Sequence, residues 1–130
     1  MLTLIHFGGP DKAAHAGNWP LYIDNIKETD SLANELWEFI QSTENYKDQT
    51  TLFITWDHGR HLDNIASGYL SHGDNCEGCR HIAMLALGPD LKKDEILTSH
   101  YGQTDIAPTI AYMLNIPFEG EGQIISELFK

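Results

Sequence analysis

An α/β fold, doubly wound around a mostly parallel sheet with flanking helices, is predicted by three features of this 130-residue chain. Its apolar runs show little polar alternation, as strands buried on both faces do. The segment between the first two runs repeats at helical spacing, and the polar clusters rich in Asp and His follow the ends of the runs.

The elements follow in order. Leu2 to Phe7 reads as a first strand, ended by Gly8-Gly9-Pro10. From Leu21 to about Ser42, Tyr22, Ile26, Ala33, Leu36, Trp37 and Ile40 form an apolar stripe, with Pro20 suited to the first turn. The polar segment 45–49 leads into a second strand, Thr50 to Trp56. After a long polar loop from Asp57 to Arg80, Ile82 to Leu87 forms a third strand, stopped by Gly88-Pro89. A second helix opens with Thr104 or Asp105 as cap and Pro108 in its first turn, buries Ile106, Ile110, Met113 and Leu114, and is closed by Asn115. Ile124 to Phe129 fits either a short edge strand or a last helical turn.

Length and a hydrophobic content of 42% predict one α/β domain over residues 1–130 with a core of its own. A formal charge of −11 disfavours nucleic acid and anionic membrane surfaces, both of which need clustered Lys and Arg. No apolar run approaches the roughly 20 residues that span a bilayer. The start, Met1 to Phe7, reads as a core strand and not as a signal peptide. A chain that opens inside a buried strand is expected to continue a longer protein.

The chemistry is concentrated in Trp56-Asp57-His58-Gly59-Arg60, joined by Asp11 and His15 upstream and His72 downstream. Carboxylate and imidazole are the ligand types of catalytic zinc or manganese. Asp11 and His15, four apart, share a face if the chain turns helically there. Taken singly, each piece has a plainer reading. Asp-x-x-x-His is commonly a solvated loop or cap, Asp-His-Gly a turn, and a His in a Gly-rich loop merely exposed. Three such clusters on one predicted rim are harder to attribute to turn preference. Cys76 and Cys79, in Cys-Glu-Gly-Cys, leave free thiols, a local disulfide, and metal or redox chemistry all open. His61 and His6 read as structural, and His81 as a packed residue opening a strand.

In order and spacing, Gly9-Pro10-Asp11-Lys12-Ala13-Ala14-His15, Thr55-Trp56-Asp57-His58-Gly59-Arg60, Ser71-His72-Gly73, the Ile82 to Pro89 block and Thr104-Asp105-Ile106-Ala107-Pro108 resemble the C-terminal half of the alkaline phosphatase superfamily. That superfamily includes sulfatases, nucleotide pyrophosphatases and cofactor-independent phosphoglycerate mutases. The resemblance implies a two-metal site, usually zinc, otherwise manganese, magnesium or calcium. Asp11, His15 and His72 would hold one ion, and Asp57 with His58 the other. His72 is preferred over His100 because it lies in a His-Gly block before the third strand. Arg60 is a candidate contact for a small anionic ester substrate, with a solvated loop arginine as the alternative.

The resemblance further implies phosphate- or sulfate-ester hydrolysis and a periplasmic or extracellular setting. The nucleophile and the remaining ligands of the second ion are expected in an N-terminal half, which leaves this chain inactive alone. The rival expectation is an autonomous metal- or partner-binding module. A phosphomutase would need a cap domain for which the chain has no room. An uncovered sheet edge predicts self-association or pairing with the N-terminal half.

Overall fold

The computed structural model describes residues 1–130. Four helices form: α1 (Gly9–His15), α2 (Trp19–Ser42), α3 (Glu77–Arg80) and α4 (Ile106–Met113). Two strands, β1 (Leu52–Thr55) and β2 (Met84–Leu87), pair in one sheet. Internal contacts divide the chain into Met1–Thr50 with Ile54–Leu85 and, separately, Thr51–Phe53 with Ala86–Lys130.

The mixed helix-and-strand composition matches the expectation, but the sheet does not. The Thr55 hydroxyl donates to the Ala83 carbonyl at 3.0 Å, and at the other end Thr51 packs on Gly88. Numbers rise along one strand as they fall along the other, so the pair is antiparallel rather than part of a doubly wound parallel sheet. A parallel pair requires a crossover that returns the chain across the sheet, usually an α-helix. Between β1 and β2 the chain forms only the 3₁₀ turn Gly68–Leu70 and the four-residue α3. The expected first strand is also absent. Leu2–Phe7 has no regular structure, and Leu2, Leu4, Ile5 and Phe7 are exposed. A strand exists only where a neighbour takes its N–H and C=O groups, and apolar composition cannot supply one.

In the first unit, α2 begins two residues before the expected helix. Its cap is Asn18, whose side chain accepts from the Leu21 N–H at 3.1 Å, with Pro20 in the first turn. Ile40 is buried and Tyr22, Ile23, Ala33, Leu36 and Trp37 are half-buried; Ile26, expected in the stripe, faces outward and Ile23 takes its place. Against α2 lies α1, with Ala13 and Ala14 buried and Gly9 close to Asn25. Small residues permit this approach. The loop after β1 is tied back to the same pair: the Tyr69 hydroxyl donates to the Gly17 carbonyl at 3.0 Å, and its ring meets Trp19 edge-on.

In the second unit, α4 buries Pro108, Thr109 and Ala111 in place of the expected face, of which Ile106, Ile110 and Met113 are half-buried and Leu114 is exposed. It ends, as the sequence predicts, before Asn115 in the left-handed region (φ 53°). The Asp105 carboxylate accepts from the Gly102 and Gln123 N–H groups, each at 2.8 Å. These two charge-assisted bonds hold it below the ordinary carboxylate value. The Thr109 hydroxyl donates to the Asp105 carbonyl at 2.6 Å and accepts from the Ile125 N–H at 2.9 Å. The C-terminal segment takes the helical alternative, with Ser126–Leu128 a 3₁₀ turn, and Phe129 makes an isolated antiparallel bridge to the buried Leu91 rather than an edge strand.

Candidate metal centre

One turn of helix places the first two candidate ligands. With Ala13 and Ala14 turned inward, Asp11 and His15 project from the other face of α1, and His15 Nε2 lies 3.3 Å from Asp11 Oδ1. His72, from the long loop, brings its Nε2 to 3.5 Å from the same oxygen and 3.1 Å from His15 Nε2. His58, just beyond β1, stacks on His72 with ring centroids 3.5 Å apart, and its Nε2 is 3.9 Å from Asp11 Oδ1. Asp57 stands at the edge of the group, largely exposed. Its Oδ1 accepts from the His58 N–H at 3.1 Å, and Oδ2 lies 3.6 Å from His58 Nε2. His15, His58 and His72 thus gather around Asp11 Oδ1, and Asp57 reaches the group through His58.

The donor set fits a divalent ion. Ligands 2.0–2.1 Å from one tetrahedral zinc lie about 3.3 Å from one another, and the Asp11, His15, His72 triangle has edges of 3.1, 3.3 and 3.5 Å. Protonation agrees as well. His58 Nδ1 lies 2.8 Å from the Gly59 carbonyl, which can only accept, so the proton resides there and Nε2 keeps its lone pair. Burial, followed by the charges of His58 and Arg60, pushes the His72 imidazole below its ordinary value of 6.5, against the opposing pull of Asp11.

Arg60 is turned inward. Its guanidinium binds the Asp11 carboxylate and donates to the Tyr69 carbonyl at 3.1 Å, with the Tyr22 ring 5.8 Å away beneath it. It therefore fixes the carboxylate around which the imidazoles gather. His6 is exposed. His81, expected to be packed, is also exposed and follows α3 as its C-cap, while His100 belongs to the second unit and is exposed.

A second group was not foreseen as a unit. His61, Asp74, Cys76 and Cys79 bring one ligand atom each within 4.8 Å of all the others. Both cysteines are free thiols. The Cys76 thiol, hydrogen-bonded to Asp74, is pushed up to about 11, and the same bond holds the carboxylate down to about 2. The available signal was the Asp and the Cys-Glu-Gly-Cys pair following Ser71-His72-Gly73; nothing in the sequence brings His61 to them.

The family description matching residues 1–118 is the metalloenzyme superfamily. A 2,3-bisphosphoglycerate-independent phosphoglycerate mutase from Antithamnion sp. is 30% identical over 122 residues, covering 91% of this chain and 22% of the mutase. Arylsulfatase K from Gallus gallus is 29% identical over 96 residues, covering 74% of this chain and 17% of the sulfatase. The chain thus spans less than a quarter of either curated relative. No solved structure matches it. With its match running through all five candidate ligands, the chain belongs to the metalloenzyme superfamily, the alkaline phosphatase-like group that its Asp-His blocks resemble.

Proposed function

We propose that this chain is the metal-holding part of a metal-dependent hydrolase of phosphate or sulfate esters. Asp11, His15 and His72 hold one divalent ion, zinc by preference, and Asp57 with His58 contribute to a second. The observation that carries the reading is the triangle of 3.1, 3.3 and 3.5 Å edges, which is the spacing of ligands on a single ion. When bound, such ions lower the pKa of a coordinated hydroxyl or water and neutralise charge on ester oxygens.

The chain's own residues prepare that site. Helix α1 sets the Asp11 and His15 spacing, the Gly59 carbonyl fixes the His58 tautomer, and Arg60 clamps Asp11. The hydroxyls flanking the candidate ligands in sequence are already engaged, Thr55 with the Ala83 carbonyl and Ser71 with His61 Nδ1 and Ser67. This supports a nucleophile, and the remaining ligands of the second ion, supplied from outside these 130 residues. The exposed Leu2, Leu4 and Phe7 support pairing with that further sequence or with a second copy.

Zinc titration by calorimetry on wild type and His15→Ala tests the reading. The variant should lose or weaken one site, and an unchanged isotherm would overturn the assignment. Aryl phosphates and aryl sulfates should be hydrolysed negligibly by the isolated chain with zinc or manganese. Ordinary turnover abolished by Asp57→Asn would instead locate a nucleophile here. The likeness to a phosphoglycerate mutase favours a second reading, in which the whole protein returns the group to an acceptor hydroxyl. Release of inorganic phosphate or sulfate from the whole protein separates hydrolysis from transfer.

A further inference from the structure

We infer that His61, Asp74, Cys76 and Cys79 form a second, thiolate-containing zinc site that anchors the long loop beneath the Asp57-His58 pair. Their four ligand atoms lie within 4.8 Å of one another, and two thiolates, an imidazole and a carboxylate are a set that tetrahedral zinc accepts.

The independent observation is His61. Its side chain is 6% exposed, yet Nε2 has no hydrogen-bond partner. Asp74 Oδ2 approaches to 3.2 Å but not along a hydrogen-bonding direction. A buried imidazole nitrogen without a partner is costly in a native fold. The other ring nitrogen faces Ser71 Oγ at 3.1 Å. With the proton on Nδ1, donated to that hydroxyl, Nε2 presents a lone pair toward Asp74 and the two sulfurs, the arrangement of a ligand held by an outer partner.

The backbone around the pair is already in place. Asp74 Oδ1 accepts from the Cys76 N–H at 2.9 Å and Cys76 Sγ from the Cys79 N–H at 3.4 Å, so the turn is closed on its own ligands. It is also pressed against the segment that follows Asp57 and His58. The Gly59 N–H donates to the Cys79 carbonyl at 2.8 Å, and a Cβ on Gly59 would sit 2.7 Å from the His81 carbonyl oxygen. An ion here would fix the segment on which both His58 and His72 ride. This site stands on its own residues and does not depend on the catalytic reading. Binding zinc releases two thiol protons to solvent, while Asp74 and neutral His61 bring none, so the bound site carries one negative charge.

Cobalt(II) distinguishes the two clusters, because only this one contains sulfur. The 130-residue chain, reduced with a non-thiol reductant, is titrated with cobalt and followed in the near-ultraviolet and visible. The expected result is a sulfur-to-cobalt charge-transfer band saturating at one equivalent, with tetrahedral d–d bands. The charge-transfer band should vanish in Cys76→Ser and persist in His15→Ala. Its absence from wild type, or its full intensity in Cys76→Ser, overturns the inference. Should Cys76→Ser fail to fold, wild type alone decides: zinc must shield both thiols from iodoacetamide, and equal alkylation with and without zinc overturns the site.

Discussion

Gly78→Ala is the substitution for which local and tertiary arguments give opposite signs. Gly78 lies inside α3 with an ordinary backbone conformation. By helix propensity alone, alanine there should stabilise by up to about 1 kcal/mol. In the structure Gly78 is buried. A Cβ would penetrate the Arg60 carbonyl oxygen and lie 3.0 Å from both the Leu62 backbone nitrogen and Cγ. Backbone cannot yield as a flexible side chain would. Overpacking of this kind costs about 1–3 kcal/mol, and forcing the turn away would stretch the bond from the Gly59 N–H to the Cys79 carbonyl, worth about 1 kcal/mol more. Tertiary contact should win, leaving the variant about 1–3 kcal/mol less stable. The assay is urea unfolding by circular dichroism in chelator and reductant, so that metal linkage does not enter. The exposed neighbour Glu77→Ala, expected within about 0.5 kcal/mol of wild type, is the control. A Gly78→Ala protein equal to or more stable than wild type would refute the close packing of this turn on the Asp57-His58 loop.

Other outcomes follow from the second unit and from the exposed segment. Thr109→Val keeps shape but strands the Ile125 N–H, so unfolding free energy should fall by about 1–3 kcal/mol, with faster hydrogen exchange at the Ile125 amide. Asp105 is lowered in the folded chain from its ordinary 3.8, so its contribution is complete above that value and is lost as pH falls through the folded one. Acid unfolding below about pH 4 should therefore be flatter in Asp105→Asn than in wild type. Sedimentation at several concentrations should show self-association that Leu4→Glu weakens; a strictly monomeric wild type would contradict the proposed pairing.

Local information was legible and pairing was not. Pro20, Pro108 and Asn115 mark helix ends by chemistry confined to a few residues, and α4 lies where those signals put it, while α2 starts two residues early behind an Asn18 cap that was not among the expected signals. The error within α2, Ile23 inward in place of Ile26, reflects the neighbour it meets. Sheet direction depends on what lies between strands and beside them. Leu2–Phe7 and Ile82–Leu87 are alike in composition, yet only the second finds a partner and becomes strand, over Met84–Leu87. Asp11, His15, His58 and His72, which the fold brings together, stood out in the sequence because ligand chemistry restricts residue type. Arg60 was legible as a charge but not in direction, since nothing local says that it turns toward Asp11 and not outward.

The inward turn of Arg60 decides how the cluster is charged. Without it, the Asp11 carboxylate would bias the His72 imidazole more strongly toward protonation, which costs a metal site a lone pair. The fixed guanidinium on Asp11 offsets that pull, and at His72 its charge together with burial and His58 outweighs the carboxylate. Replacing Arg60 by methionine should thus raise the His72 pKa in the metal-free chain. Zinc affinity should then fall more steeply between pH 7 and 6 than in wild type, because protons compete for the same nitrogen. Histidine proton resonances followed through a pH titration read the shift directly. A His72 pKa unchanged or lowered in Arg60→Met would show that the guanidinium only positions Asp11 and takes no part in lowering the His72 pKa.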